Sequence, residues 1–249
     1  MTDRPSLPGV TLVAVTSVAL QATIDALHAS MAQADFGKVL LLSDLSPPQG
    51  VSPKIRWQPI EPLGSRAAYS RFMLRDLASY LETDHALCIQ WDGFVLNGAA
   101  WDPQFLEFDY IGAVWPHFDD AHNVGNGGFS LRSQRLLEAC RKLPFEGSNA
   151  EDVIIGRLCR RELEDQGLRF APAAVAECFA FERTAPRGDE FGFHGAFNLV
   201  RSLDDKASVH LFRSLERGML ARSERAEILR WAIANGRWRL AWHMLFRLM

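Results

Sequence analysis

The sequence lacks several patterns that would each indicate a particular class of protein. It has no run approaching the ~20 apolar residues needed to cross a bilayer, and no internal repeat or low-complexity segment. The sequence has no excess of positive charge, since its formal net charge is −3 at pH 7. The overall charge therefore does not indicate a nucleic-acid partner. Residues 1–9 are polar and lack the apolar core of a secretory signal. We therefore expect a cytoplasmic protein of a bacterial-type cell, with no nucleic-acid partner and no membrane span.

Cysteine is scarce, and the common catalytic signatures are missing. The four cysteines show no zinc-site or thioredoxin-like spacing, and each lies in an apolar stretch, which favours reduced, buried thiols; they are Cys88, Cys140, Cys159 and Cys178. There is no Gly-x-Ser-x-Gly elbow and no phosphate loop ending in Lys-Ser/Thr. These absences argue against a zinc site built from cysteines, a serine hydrolase with that elbow and a P-loop NTPase.

The first half of the sequence alternates apolar runs with amphipathic segments. The predicted strands cover 10–18, 38–45, 55–60 and 86–90, and the predicted helices cover 21–34 and 65–81. Near-continuous apolar strands separated by helices predict an α/β fold with a mostly parallel sheet covered on both faces. With 249 residues, the chain is at the upper end for one α/β domain.

The second half has more loops and ends in a basic helical segment. We predict strands at 110–115 and 127–131 and helices at 133–143 and 151–166. Residues 217–249 contain seven arginines and two glutamates, a net charge of +5 against −8 for the rest of the chain. The sequence thus predicts an α/β domain over 1–201 and a helical C-terminal extension over 202–249.

A short acidic segment follows the last strand of the first half. Ligands of open α/β sheets bind beyond the carboxyl ends of the strands, and Asp44, Trp91 and Asp92 fall at such ends. In Gln90-Trp91-Asp92-Gly93, the carboxylate offers a hard oxygen ligand for Mg²⁺ or Mn²⁺ bridging a diphosphate. Asp-Gly is also a common turn pair, and Gln90 stands where an Asp-x-Asp motif has its first acid, so both interpretations stay open.

Three later segments also carry candidate chemistry. The glycines in Asn123–Arg132 predict unhindered backbone amides and the floor of an acceptor cleft, or else a tight hairpin. Ser148 and Glu151 have the spacing of a capping box, which leaves Asp152 in the first helical turn as a proton acceptor or as a partner of the helix dipole. His194, between Phe193 and Gly195, is either a structural histidine or a ligand of a metal or phosphate.

Taken in order, these segments resemble a largely uncharacterised family of bacterial and fungal glycosyltransferases. The resemblance covers about residues 65–200, and the run Gly-Asn-Gly-Gly-Phe-Ser-Leu-Arg is its most specific part. The motifs that carry it are Gln90–Asp92, Asp109–Trp115, Gly125–Arg132, Glu151-Asp152 and Gly192–His194.

The resemblance implies a GT-A-like fold that transfers a sugar from a nucleotide-sugar donor to a hydroxyl of a cell-surface glycan or lipid-linked saccharide. It implies inverting direct displacement with Asp152 as the base, and with Glu151 positioning the acceptor or capping the helix. Residues expected at the donor are Thr16, Asp44, Arg66, Arg71, Gln90, Trp91 and Asp92. Asn126, Gly127 and Gly128 are expected at the acceptor. Asp92 and His194 are expected to hold a divalent cation, Mn²⁺ or Mg²⁺.

Alternatives remain for the function and for the C-terminal segment. A non-catalytic nucleotide- or sugar-binding protein with the same fold would explain Gln90, whereas a nucleotidyltransferase is disfavoured because Thr16–Gln21 lacks a glycine-rich basic loop. Residues 228–249 interleave arginine with tryptophan and leucine. They predict either helices that contact the inner face of the cytoplasmic membrane or helices that pack on the domain or on a second subunit of a homodimer.

Overall fold

The computed structural model describes residues 4–216 and 218–248. Its main sheet has six strands in the order β3-β2-β1-β4-β6-β5, and a small second sheet pairs β7 with β8. The strands are β1 Ser6–Val15, β2 Asp35–Leu42, β3 Ile55–Gln58, β4 His85–Ile89, β5 Tyr110–Ile111, β6 Phe129–Ser133, β7 Ala180–Phe181 and β8 Gly192–Phe193.

The first four strands are parallel, as the sequence predicted. β1 lies between β2 and β4 and is parallel to both, and β3 extends the same arrangement beyond β2. The later strands differ, because β6 runs antiparallel to both β4 and β5. The protein is therefore α/β with a mostly parallel sheet, and an antiparallel pair closes one edge.

Both faces of the sheet are covered, which explains the continuous apolar run of β1. Side chains alternate between the faces of a strand. Leu12 thus packs in the same core as Leu27 of the first helix, and Val13 packs with Phe72 and Met73 of the second.

The helices between the strands agree with the predictions in position more than in length. They are α1 Leu20–Gln33, α2 Arg66–Arg75, α3 Gln134–Cys140, α4 Glu151–Val153, α5 Arg160–Asp165, α6 Ala173–Phe179 and α7 Ala196–Ser202. Asp76 separates α2 from a 3-10 turn at Leu77–Tyr80, so the helix predicted over 65–81 is divided. A π turn at Ile154–Leu158 lies between α4 and α5. All four cysteines are free, with Cys178 half-buried and the others buried.

Three further helices form the C-terminal part, α8 Asp205–Ser214, α9 Arg222–Ala234 and α10 Trp238–Leu248. Phe212, Ile228, Leu240 and Met244 are fully buried in one core that also contains Ala22 of α1. These helices thus pack on the α/β part through one face, as one of the two interpretations expected. No helix among the described residues is both long and apolar enough to pass through a bilayer.

Candidate functional site

A cleft of about 580 Å³ opens at the edge of the sheet where β1 and β4 end. Because those strands are parallel, their carboxyl ends meet at one edge, and the antiparallel β6 begins at the same edge. Ten of the predicted site residues line the cleft: Thr16, Arg66, Gln90, Trp91, Asn126, Gly127, Gly128, Glu151, Asp152 and His194. The fold therefore brings together side chains that are far apart in the sequence.

Three predicted site residues do not line this cleft. Arg71 is exposed on α2, and Asp44 is half-buried after β2, where its Oδ1 atom is buried without a hydrogen-bond partner among the described residues. Asp92 is buried behind His194, with its Oδ1 atom 3.3 Å from the imidazole Nε2.

The glycine segment forms a tight bend that leads into β6. Asn126 has φ 68°, a left-handed conformation that asparagine tolerates better than most residues. Its side-chain oxygen accepts hydrogen bonds from the N–H groups of Gly128 at 3.0 Å and Phe129 at 3.2 Å. These contacts explain why asparagine, with its short acceptor, stands at this position.

The two glycines of the bend make room for the protein's own side chains. A Cβ on Gly127 would lie 2.3 Å from Glu151 Oε1, and a Cβ on Gly128 would lie 2.0 Å from His194 Nε2. The Gly127 N–H donates to Asp152 Oδ2 at 2.9 Å. The expectation of unhindered, available amides is therefore wrong for Gly127 and Gly128, whose N–H groups are bonded within the protein.

A buried ion pair between Arg132 and Glu151 packs against the bend. Arg132 donates to Glu151 Oε1 at 3.1 Å, and the two side chains are 0% and 5% exposed. Arg132 also donates to the Gly127 carbonyl and to Ser130 Oγ. Ser70 of α2 donates to the other oxygen of Glu151 at 3.2 Å. Glu151 thus joins α2, β6 and α4.

The capping box expected between Ser148 and Glu151 does not form. The residue before α4 is Ala150, which provides no side-chain cap, and the carboxylate of Glu151 is taken by Arg132 and Ser70. Glu151 pairs with Arg132 instead of capping the helix, because leaving a buried arginine unpaired would cost far more free energy than leaving a helix end uncapped.

Asp152 lies half-buried at the wall of the cleft beside the bend. Burial and the neighbouring Glu151 charge raise its pKa, while the hydrogen bond from the Gly127 N–H and the charge of Arg132 oppose that rise. Its Oδ1 atom accepts from the Val153 N–H at 2.8 Å. A carboxylate held in this way, with a raised pKa, has the properties of a general base.

His194 lines the same cleft beside Gly128 and lies between two carboxylates. Its Nε2 atom is 3.3 Å from Asp92 Oδ1, and its Nδ1 atom is 3.3 Å from Glu182 Oε1. Burial alone would lower the pKa of His194, but Asp92 and Glu182 raise it to about 10. The two carboxylates therefore favour the protonated ring, and the side-chain NH2 of Asn126, a donor, also lies 3.1 Å from Nδ1. Gln90 accepts from the same Nε2 at 3.3 Å and donates to the Tyr69 hydroxyl at 3.0 Å.

This arrangement offers two protein ligands to the divalent cation expected between Asp92 and His194. The Nε2 atom would have to be deprotonated to bind an ion, and it lies 3.3 Å from Asp92 Oδ1. Asp92 and Glu182 lie against opposite nitrogens of the ring, so they cannot share an ion with it. No group of three or more His, Cys, Asp or Glu side chains suited to a metal ion occurs in the part of the chain that the structure describes.

Several residues of the site carry no sequence signal that would have identified their roles. Glu182 follows the short strand β7 and belongs to no motif. Tyr69 and Ser70 belong to the buried side of α2 and look like ordinary helix residues. Arg132 lies in the quoted glycine motif, but its partner Glu151 is distant in the sequence, so the pairing appears only in three dimensions.

Comparison with protein families gives a match over the middle of the chain. The model described as "Protein of unknown function (DUF5672)" matches residues 54–194, which is more than half of the chain. The chain therefore belongs to this family. The matched span runs from β3 to His194 and contains the glycine bend and Asp152, but not β1 or the C-terminal helices. The search of the curated proteins gives no match.

Proposed function

We propose that this member of the DUF5672 family is a glycosyltransferase with a GT-A-like fold that moves a sugar from a nucleotide-sugar donor to an acceptor hydroxyl. The observation that carries the proposal is the meeting of Asp152, with its raised pKa, and His194 in one cleft at the carboxyl edge of the sheet. The cleft volume of about 580 Å³ lies within the range of small-ligand sites.

Asp152 is the proposed base. It takes the proton of an acceptor hydroxyl while that oxygen attacks the anomeric carbon of the donor sugar. The new carbon–oxygen bond forms as the bond to the diphosphate breaks, and the nucleoside diphosphate leaves with the electron pair. A single displacement of this kind inverts the anomeric centre. The Gly127 N–H and the adjacent Val153 N–H hold the carboxylate of Asp152 in place for this step.

The donor phosphates are proposed to lie toward the start of α2. Gly64, Ser65 and Arg66 line the cleft there, and the N-terminus of a helix favours anionic groups. Arg66 is exposed, so its side chain is accessible to a ligand. Arg66 supplies positive charge for the leaving diphosphate, and no step of this scheme passes through a metal ion.

The test is donor binding followed by slow donor hydrolysis. Thermal-shift measurements with nucleoside diphosphates and nucleotide sugars, with and without Mn²⁺, identify the donor. A transferase hydrolyses that donor slowly even without an acceptor. We expect Asp152→Asn to lower turnover of the donor by at least about 100-fold, the usual contribution of a general base, while the thermal shift by the donor persists.

The matched control is Asp165→Asn, which removes a carboxylate from an exposed position at the end of α5. This variant should turn over the donor as the unmodified protein does. Turnover by Asp152→Asn at the rate of Asp165→Asn would remove Asp152 as the base. Donor binding without any turnover would instead support the non-catalytic binding protein, the alternative that Gln90 suggests.

A further inference from the structure

The last helix presents an apolar stripe on its outer face. Trp238, Trp242 and Leu245 are 67%, 65% and 44% exposed. Their spacing of four and three residues places them on one side of α10. Leu240 and Met244, on the opposite side, are fully buried. One face of this helix thus holds it to the protein, and the other offers two tryptophans to the surroundings.

Exposed apolar side chains are concentrated in this part of the molecule. Eight large hydrophobic side chains are exposed among the described residues, and four of them belong to α9 and α10, namely Ile233 and the three residues of the stripe. Isolated exposed hydrophobic residues need no explanation, but a contiguous group marks an interaction surface.

A second cleft, of about 810 Å³, adjoins the stripe between α8 and α10. Among the described residues, its lining includes the cations Lys206, Arg213 and Arg239 and one carboxylate, that of Asp204. Asp204 accepts from the Ala207 N–H at 2.7 Å and so caps α8. The C-terminal residues 217–249 carry a net charge of +5, although the whole chain is at −3.

The stripe and the basic cleft are one continuous surface. Trp242 belongs to both, because it is part of the exposed stripe and also lines the cleft. Arg239 lies about 60° around the helix axis from Trp242, given 100° per residue. Arg239 therefore flanks Trp242 on the side of the cleft.

We infer that this surface docks on an anionic phospholipid membrane, with the tryptophans in the headgroup region and a lipid phosphate in the basic cleft. Tryptophan is enriched at membrane interfaces, and basic side chains strengthen binding to anionic lipids. A symmetric contact with a second copy fits less well, since a two-fold interface centred here would bring two basic clefts together. The inference does not depend on the proposed transferase activity.

The surface has a direct consequence for that activity. Trp91, which lines the first cleft, also packs against the core formed by α8, α9 and α10. Docking through α10 would thus hold the membrane against the helical layer that packs on a wall residue of the transferase cleft.

The test is flotation of the full chain with vesicles of phosphatidylcholine alone and with vesicles that also contain phosphatidylglycerol. We expect flotation with the anionic vesicles, weakening as salt is added. Trp238→Ala with Trp242→Ala should lower the partition coefficient by about tenfold per tryptophan. Lys206→Ala with Arg239→Ala should lower it by about fivefold per cation, and only for the anionic vesicles.

Two matched controls separate the surface from general effects. Leu158→Ala removes another exposed apolar side chain, 62% exposed, outside the surface. Lys54→Ala with Lys142→Ala removes two exposed cations elsewhere. Both controls should float as the unmodified protein does.

Three results would overturn the inference. The first is an unmodified chain that stays unbound with anionic vesicles. The second is a double tryptophan variant that floats equally well. The third is a dimer in analytical ultracentrifugation that the double tryptophan variant converts to a monomer, without vesicle binding by either protein. This last result would assign the stripe to a second copy of the chain.

Discussion

Replacing Arg132 by methionine should lower the free energy of unfolding by several kcal/mol, because Arg132 is fully buried and holds a buried carboxylate. Methionine keeps much of the apolar stem and removes the guanidinium that pairs with Glu151. Both side chains are almost fully buried, and removing one partner of a buried pair costs about 3–5 kcal/mol because the other charge is left uncompensated.

The structure indicates the lower end of that range. The Nη1 atom of Arg132 is buried without a hydrogen-bond partner among the described residues, so the native pair already carries a desolvation cost. We therefore expect a loss of about 3 kcal/mol in the free energy of unfolding, or about 10 °C in the melting temperature for a chain of this size.

The assay is urea unfolding followed by circular dichroism, with two companion variants. Adding Glu151→Gln to Arg132→Met should recover about half of the loss, because the buried charge is removed. Arg141→Met breaks the exposed pair with Glu138, whose side chains are 43% and 51% exposed, and should change stability by less than about 1 kcal/mol. If Arg132→Met unfolds at the same urea concentration as Arg141→Met, the reasoning from burial is refuted.

Three further predictions concern the cleft itself. The pKa of His194 in the folded protein is raised to about 10, so its ion pairs should stabilise the protein fully below pH ~6.5 and lose this effect as pH rises through about 10. In urea unfolding at several pH values, the unmodified protein should therefore be more stable than His194→Gln at low pH. This difference in the free energy of unfolding should shrink to zero as pH rises through about 10. Gly128→Ala should lower the melting temperature by roughly 5–10 °C, because the added Cβ would overlap the His194 ring. The control Gly64→Ala adds a Cβ with no atom within 4 Å and should leave the melting temperature nearly unchanged. Equal melting temperatures for the two variants would contradict the close approach of Gly128 and His194. Burial and the Glu151 charge raise the pKa of Asp152, so turnover should fall on acidification at a higher pH than for an ordinary aspartate, and a pH–rate profile without that acidic limb would count against its role as base.

The parallel half of the fold could be predicted because burial on both faces leaves a direct pattern in the sequence. The apolar runs of β1 and β2 indicate buried strands, and both strands overlap the predicted ranges but begin and end three or four residues earlier. The antiparallel direction of β6 could not be predicted, since strand direction depends on the path of the preceding loop rather than on local composition.

The candidate site divides in the same way. Asp152 and His194 were predicted from local motifs, and the structure brings both to one cleft. The role of Glu151 was misjudged because a capping box is a local pattern, whereas its actual partner Arg132 is 19 positions away. Glu182 was missed because nothing in its neighbourhood in the sequence indicates that it pairs with His194.

The antiparallel entry of β6 has a consequence for how such a site can diversify. Two contacts close the loop before β6: the Trp115 N–H donates to the Asn123 carbonyl at 2.7 Å, and Val114 forms a β-bridge with Val124. Residues 116–122 form a loop, called the excursion here, that begins and ends at these two contacts. Insertions or deletions there would reshape the rim next to Trp115 while the register of β5 and β6 is preserved. Relatives could thus differ in the shape of the cleft rim by exchanging this excursion alone, with the sheet left unaltered.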